Sequence, residues 1–201
     1  MNRNEFIERA KDYLPTASLQ EAGTFYKNLL EKNYDKELIK ELAKVDRWFL
    51  LVVLLNRKDA VHPWLYDRCR EVEKSPDGML DLWARGHYKS TLITYAGTIQ
   101  EILRNPNITI GIFSHTRPIA KGFLKQIKRE FEVNEFLRDL YQDVCYKNPR
   151  QDSPQWSEDA GIIVRRKSNP KEATVEAWGL VDGQPTSRHY DLRIYDDVVT
   201  R

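Results

Sequence analysis

The residues best suited to chemistry fall in two stretches. The first is Asp81-Leu82-Trp83-Ala84-Arg85-Gly86-His87-Tyr88-Lys89-Ser90-Thr91, where an apolar segment breaks at a glycine before a lysine and two hydroxyls. That order suits a phosphate anion: N–H groups at a turn and helix start face it, and the lysine adds a mobile positive charge. Ser90 or Thr91 can then place a hydroxyl on Mg2+. The second stretch is Tyr190 to Val199, in which Leu192, Ile194 and Tyr195 suggest a short strand ending in Asp196-Asp197. An acid at such an end can hold an Mg2+ shell, and the next can orient or deprotonate an attacking water. Each stretch also has a plainer reading. Gly86 can relieve a βα turn while Ser90 caps a helix, and Asp-Asp is common in turns after strands. The strict pattern G-x-x-x-x-G-K-[ST] is met only by Lys89-Ser90, because Trp83 and Tyr88 stand at its glycine positions.

The elements needed to position these residues are legible nearby. Met79, Leu80, Leu82 and Trp83 read as a buried strand, and Leu92 to Leu103 as an amphipathic helix. Asn107 to Ser114 is a further apolar strand, bounded by Asn105-Pro106 and Ser114-His115. In a parallel sheet these strands end on one edge, the edge where open α/β sheets bind ligands. The expectation is an α/β fold with a mostly parallel sheet flanked by helices, carrying an ATP and Mg2+ site.

Four segments taken together resemble the large terminase subunit of tailed bacteriophages. They are Arg85-Gly86-His87-Tyr88-Lys89-Ser90-Thr91, Thr94-Tyr95-Ala96-Gly97-Thr98, Ile112-Phe113-Ser114-His115-Thr116, and Ile194-Tyr195-Asp196-Asp197-Val198-Val199. The resemblance covers roughly residues 60 to 201. It implies a P-loop NTPase of the helicase/RecA-like type that hydrolyses ATP to drive viral double-stranded DNA into a procapsid. Implied partners are the portal protein, the small terminase subunit and copies of the chain in a ring, in the host cytoplasm at the portal. By the same resemblance Gly86 to Thr91 bind nucleotide, Arg85 and Lys89 act on its phosphates, and Ser90 and Asp196 hold Mg2+. Asp197 activates water where the family usually has glutamate, a departure that demands a closer water. Trp64 or Tyr66 holds the adenine, although no glutamine stands nearby to read its edge. Arg188 is the arginine that completes a neighbouring subunit's site.

The chain has 201 residues, 41% of them apolar, and a net charge of +2, which permits nucleic-acid binding without arguing for it. Cys69 and Cys145 lack metal-ligand spacing. Phe49 to Leu55, the longest apolar run, is far too short to span a bilayer, so no membrane partner is expected. Residues 1–60 read as a helical extension or lid: a charged helix from 3 to 14, one from about Leu19 to Glu31 capped by Thr16 or Ser18 with Glu21, and one from Asp35 to about Leu55. Residues 61–201 form the ATPase domain. His62-Pro63 opens a helix to Val72 or Glu73, and Ser75-Pro76-Asp77-Gly78 is a turn.

Thr116-Arg117-Pro118 opens a helix with Ile119, Phe123, Ile127 and Phe131 inward. Lys121, Lys125, Lys128 and Arg129 lie outward, as a DNA-tracking stripe or a solvated face. Asn134 to Tyr141 is a short helix and residues 147–154 a loop. Gly161 to Lys167 and Ala173 to Trp178 form a hairpin, because four residues cannot hold a crossover helix. Asp191, Asp196 and Asp197 also admit reading as a nuclease cluster, but Asp191 precedes the strand whose far end carries the others.

One alternative stays open, a catalytically silent, helicase-like interaction module. The sheet is also expected to be incomplete. A strand between those ending at Trp83 and Tyr195 belongs to later sequence in this class, with a nuclease domain beyond; otherwise residues 162 to 178 fill the gap.

Overall fold

The computed structural model describes residues 3–32, 35–74, 78, 80–84 and 86–199; Ser75-Pro76-Asp77, Met79 and Arg85 lie outside them. The chain divides into two compact units, residues 1–92 and 93–201.

The first unit is helical. It contains α1 (Arg3–Tyr13), α2 (Leu19–Lys32), α3 (Lys36–Val45), α4 (Arg47–Phe49) running into a π-helical turn (Leu50–Leu54), a 3-10 turn (Lys58–Ala60) and α5 (Pro63–Lys74). The capping box forms on Ser18: Glu21 accepts from the Ser18 N–H and hydroxyl, both at 2.7 Å. The single helix expected from Asp35 to Leu55 is broken at Asp46. Asp46 takes extended backbone (φ −129°, ψ 107°), and its carboxylate accepts the Phe49 N–H at 2.9 Å. A short acidic side chain offers the backbone this alternative to helix. The carboxylate is fully buried, so it is paired: Arg70 reaches it at 2.6 Å and the Tyr26 hydroxyl also donates.

The strand expected at Met79 to Trp83 is absent over its described residues. Leu80 to Ala84 has no ladder partner, and Leu80 and Leu82 are 82% and 85% exposed. Apolar residues make a strand only where a neighbour pairs the backbone N–H and C=O groups.

The second unit is a sheet with helices. Its chain runs from the π-helical segment Thr91–Gly97 through α6 (Thr98–Arg104), β1 (Ile110–Ser114), α7 (Arg117–Val133), α8 (Glu135–Leu140) and the single turn α9 (Pro149–Asp152). Then come β2 (Trp156–Ser157), β3 (Gly161–Ile162), β4 (Val175–Gly179) and β5 (Leu192–Tyr195), in spatial order β2-β3-β4-β1-β5. β1 pairs in parallel with both β4 and β5, while β3 joins β4 antiparallel as expected, although the strand covers only Gly161–Ile162 and not the expected Gly161 to Lys167, and residues 163–174 connect it to β4. β4 therefore lies beyond β1, so residues 162–178 supply no second neighbour to β5; β1 occupies that flank of the hairpin. The helix α7 packs on β1 and β4 through Ala120, Leu124, Ile127 and Phe131. Its inward face sits one residue later than expected at the start, and Ile119 is 38% exposed. Gly111 admits the Tyr190 ring over β1, since a Cβ there would stand 2.7 Å from Tyr190 Cδ2.

Candidate phosphate loop and acidic strand end

In the first unit the loop has an unusual backbone. Gly86 has φ 80° and Tyr88 φ 65°, so Tyr88 takes the left-handed conformation where the motif has its second glycine. Alternating left-handed residues turn successive N–H groups towards one point, the geometry of an anion nest. For tyrosine that conformation costs about 1–2 kcal/mol. Two contacts hold it there: the hydroxyl donates to Asp59, and the Arg57 guanidinium lies 5.7 Å from the ring centre. The chain is helical from Lys89 onward, and the Leu92 N–H donates to the Tyr88 carbonyl at 2.9 Å. Lys89, Ser90 and Thr91 thus occupy a first helical turn, all half-buried.

The aromatic residues near this loop differ sharply. Trp64, at the start of α5, packs edge-on to Trp83 (5.1 Å between ring centres) and to His87 (5.5 Å), and keeps 37% of its surface exposed. His87 Nδ1 lies 3.2 Å from the Ala84 carbonyl. Tyr66 is 2% exposed, and its hydroxyl donates to the carbonyls of Ala17 (2.9 Å) and Leu14 (3.2 Å). Burial removes Tyr66 from any base-stacking role and leaves Trp64.

In the second unit the acidic end of β5 is built by strand pairing. The Asp196 N–H donates to the Phe113 carbonyl at 2.9 Å, and the His115 N–H to the Asp197 carbonyl at 3.0 Å. Asp196 is 3% exposed; its Oδ2 accepts the Thr94 hydroxyl at 2.6 Å and its Oδ1 the Asp197 N–H at 3.1 Å. Asp197 has φ 49°, which ends the strand alternation and leaves it exposed beside a buried neighbour. The register Phe113↔Tyr195 sets Ser114 beside Asp196. Among the described residues the Ser114 hydroxyl is buried with no hydrogen-bond partner, as is that of Thr98, one helical turn after Thr94. Buried orphan hydroxyls are rare and suit ordered water. The Asp196 carboxylate, fixed by Thr94 beside Ser114, is of a kind that could join the outer shell of a hydrated Mg2+.

Arg188 and Asp191 lie at the other edge. Both precede β5, and Asp191 accepts the Thr109 N–H and hydroxyl, each at 2.8 Å, ahead of β1. Arg188 donates to the Lys171 carbonyl at 2.8 Å and stands 3.7 Å from the buried Glu176. The carboxylates at 191 and 196–197 are thus held at opposite ends of one strand, which gives no nuclease cluster. Burial pushes both thiols up, Cys145 to about 12, so neither is a ready nucleophile. Among the described residues no helix is long and apolar enough to cross a membrane, and no cluster of three or more His, Cys, Asp or Glu could hold a metal by itself.

Comparison with protein-family models, curated protein sequences and solved structures returned no match. The residue that sequence reasoning left without a role is Thr94. Its signal was present: Thr94 and Thr98 are polar residues four apart on the apolar side of an otherwise amphipathic helix.

Proposed function

We propose that the chain binds and hydrolyses Mg2+–ATP and belongs to a motor that moves double-stranded DNA, as the resemblance to large terminase subunits implies. The observation that carries this reading is the Thr94–Asp196 hydrogen bond. The helix that begins at Lys89 carries, a little over one turn on, the hydroxyl that orients the acid ending β5. The nest-like backbone at Gly86 and Tyr88 supports phosphate binding, with N–H groups and Lys89 as its charge. Ser90 and Asp196 hold the metal ion, which when bound screens the phosphate charge. Asp197 is the general base or water-orienting group, and the exposed face of Trp64 stacks the base. Arg85, Arg188 in a neighbouring subunit, the portal and the small subunit complete the proposal from the resemblance.

The test is a Mg2+–ATP titration with a turnover assay on the full chain. Saturable binding and turnover that Lys89→Ala abolishes support the motor. Wild-type turnover in Lys89→Ala overturns the loop assignment, and no binding at millimolar nucleotide favours the catalytically silent module. The unpaired segment Leu80–Ala84 is the specific observation on that module's side.

A further inference from the structure

The second unit carries two sets of cations, and their partners differ in charge. On α7, Lys121 pairs with Asp159, and Lys128 lies 2.9 Å from Glu158 and 3.9 Å from Glu132. Two of the four cations of that stripe are thus paired with acids of their own chain. The loop Arg165-Arg166-Lys167-Ser168-Asn169-Pro170-Lys171 holds four cations and no acid. Three of its four cations are held by carbonyl oxygens: Arg165 by Gln142 (3.0 Å), Arg166 by Glu172 (2.9 Å) and Lys171 by Ser187 (3.0 Å). A neutral acceptor orients a cation without cancelling it. Among the described residues no carboxylate lies within 4.0 Å of these four side chains. The neighbouring acids Glu172 and Glu176 are turned inward, 7% and 2% exposed. Glu172 accepts the His189 N–H, and Glu176 accepts from Ala173 N–H and the Tyr190 hydroxyl.

The loop is also pinned. The Lys167 N–H, the Ser168 N–H and the Ser168 hydroxyl all donate to Asn107 Oδ1 at 2.9 Å, and the Arg165 N–H donates to the Val144 carbonyl at 2.8 Å. Preorganised cations lose little freedom when an anion arrives. We infer that this loop is a phosphodiester-binding surface for duplex DNA; the choice of DNA as ligand rests on the motor reading above. Single-strand sites rely on exposed aromatic platforms. The loop sequence has none, and the Arg165 guanidinium lies 5.7 Å from the centre of the neighbouring Tyr146 ring. Such a surface tracks the backbone and reads no bases.

The experiment is fluorescence anisotropy of the full chain with a short labelled duplex across a salt series, without nucleotide. Lys167→Ala/Lys171→Ala is compared with wild type and with Lys125→Ala/Arg129→Ala on α7. Losing two phosphate contacts should weaken binding on the order of tenfold at moderate salt and flatten the log–log salt slope by about 2, equally on unrelated sequences. Lys167→Glu alone, at an exposed side chain anchored through its backbone, should weaken binding in the same direction and guards against misfolding of the double variant. Wild-type affinity and slope in the loop variants, a loss carried instead by the α7 variant, or tighter binding of a single strand of equal length each overturns the assignment. Because nucleotide is absent, a failure of ATP hydrolysis leaves this readout untouched.

Discussion

The loop at Gly86–Thr91 and the acidic end of β5 carry signals of similar kind, yet the structure supports them by different means. Each places a non-glycine residue in left-handed backbone, Tyr88 at φ 65° and Asp197 at φ 49°. At β5 the conformation follows a ladder: β1 continues to hydrogen-bond past Tyr195, to Asp196 and Asp197. At the loop no ladder precedes it, and side chains do the holding, through Asp59, Arg57 and the Trp64–Trp83–His87 cluster. Backbone pairing is thus not the only way to keep a strained turn, but the two kinds of support fail under different substitutions.

Asp196→Asn attacks the acidic end hardest. The amide oxygen keeps an acceptor for Thr94, while the NH2 faces the Asp197 N–H and the charge is lost, so Mg2+–ATP turnover should fall about a hundredfold or more. Unchanged turnover at saturating Mg2+ would make this end purely structural. Thr94→Val should come next, leaving a buried carboxylate oxygen without its donor at a cost of about 1–3 kcal/mol in denaturant unfolding. Ser114→Ala beside it, which removes a hydroxyl that has no partner, should be nearly neutral. Equal effects of the two would mean that Thr94 does not orient the acid.

On the loop side, Tyr88→Gly and Tyr88→Ala both lose the Asp59 contact, but only glycine relaxes the left-handed backbone. Thermal unfolding should place the glycine variant about 1 kcal/mol above the alanine one. No gap between them would remove the strained nest. The smallest effect separates the units by pH. Burial pushes Glu132 up, but donation from Arg150 and Trp156 outweighs it and holds this carboxyl below its usual range. Its contribution is present above the unfolded value of about 4.3 and is lost as pH falls through the lower folded value. Glu132→Gln should therefore flatten the acid limb of the unfolding curve for the second unit alone.

Much of this architecture was legible in residue order. Periodicity marked α2, α7 and β5, Ser18 and Glu21 declared their cap, and the antiparallel sense of β3 and β4 was read correctly, though their connection is the longer segment 163–174. These are local decisions, made by side-chain period and turn chemistry within a few residues. The break at Asp46 was not legible, because an acid inside an apolar helical pattern reads as a surface residue until Arg70 and Tyr26 are known to meet it. Tyr66 and Trp64 looked equivalent for the same reason: α5 carries both, and only Tyr66 meets Trp48 and the carbonyls of Leu14 and Ala17. The segment Leu80–Ala84 taught the converse, since apolar content proposes a strand but a partner's backbone makes it. Sequence by itself named the residues that could do chemistry and the strand that carries Asp196, but not the support of the loop before Lys89. Tertiary structure alone decided that Thr94 aims at Asp196, that Arg188 faces the opposite edge, and which cations keep their charge, because each depends on residues distant in the chain arriving within hydrogen-bonding reach.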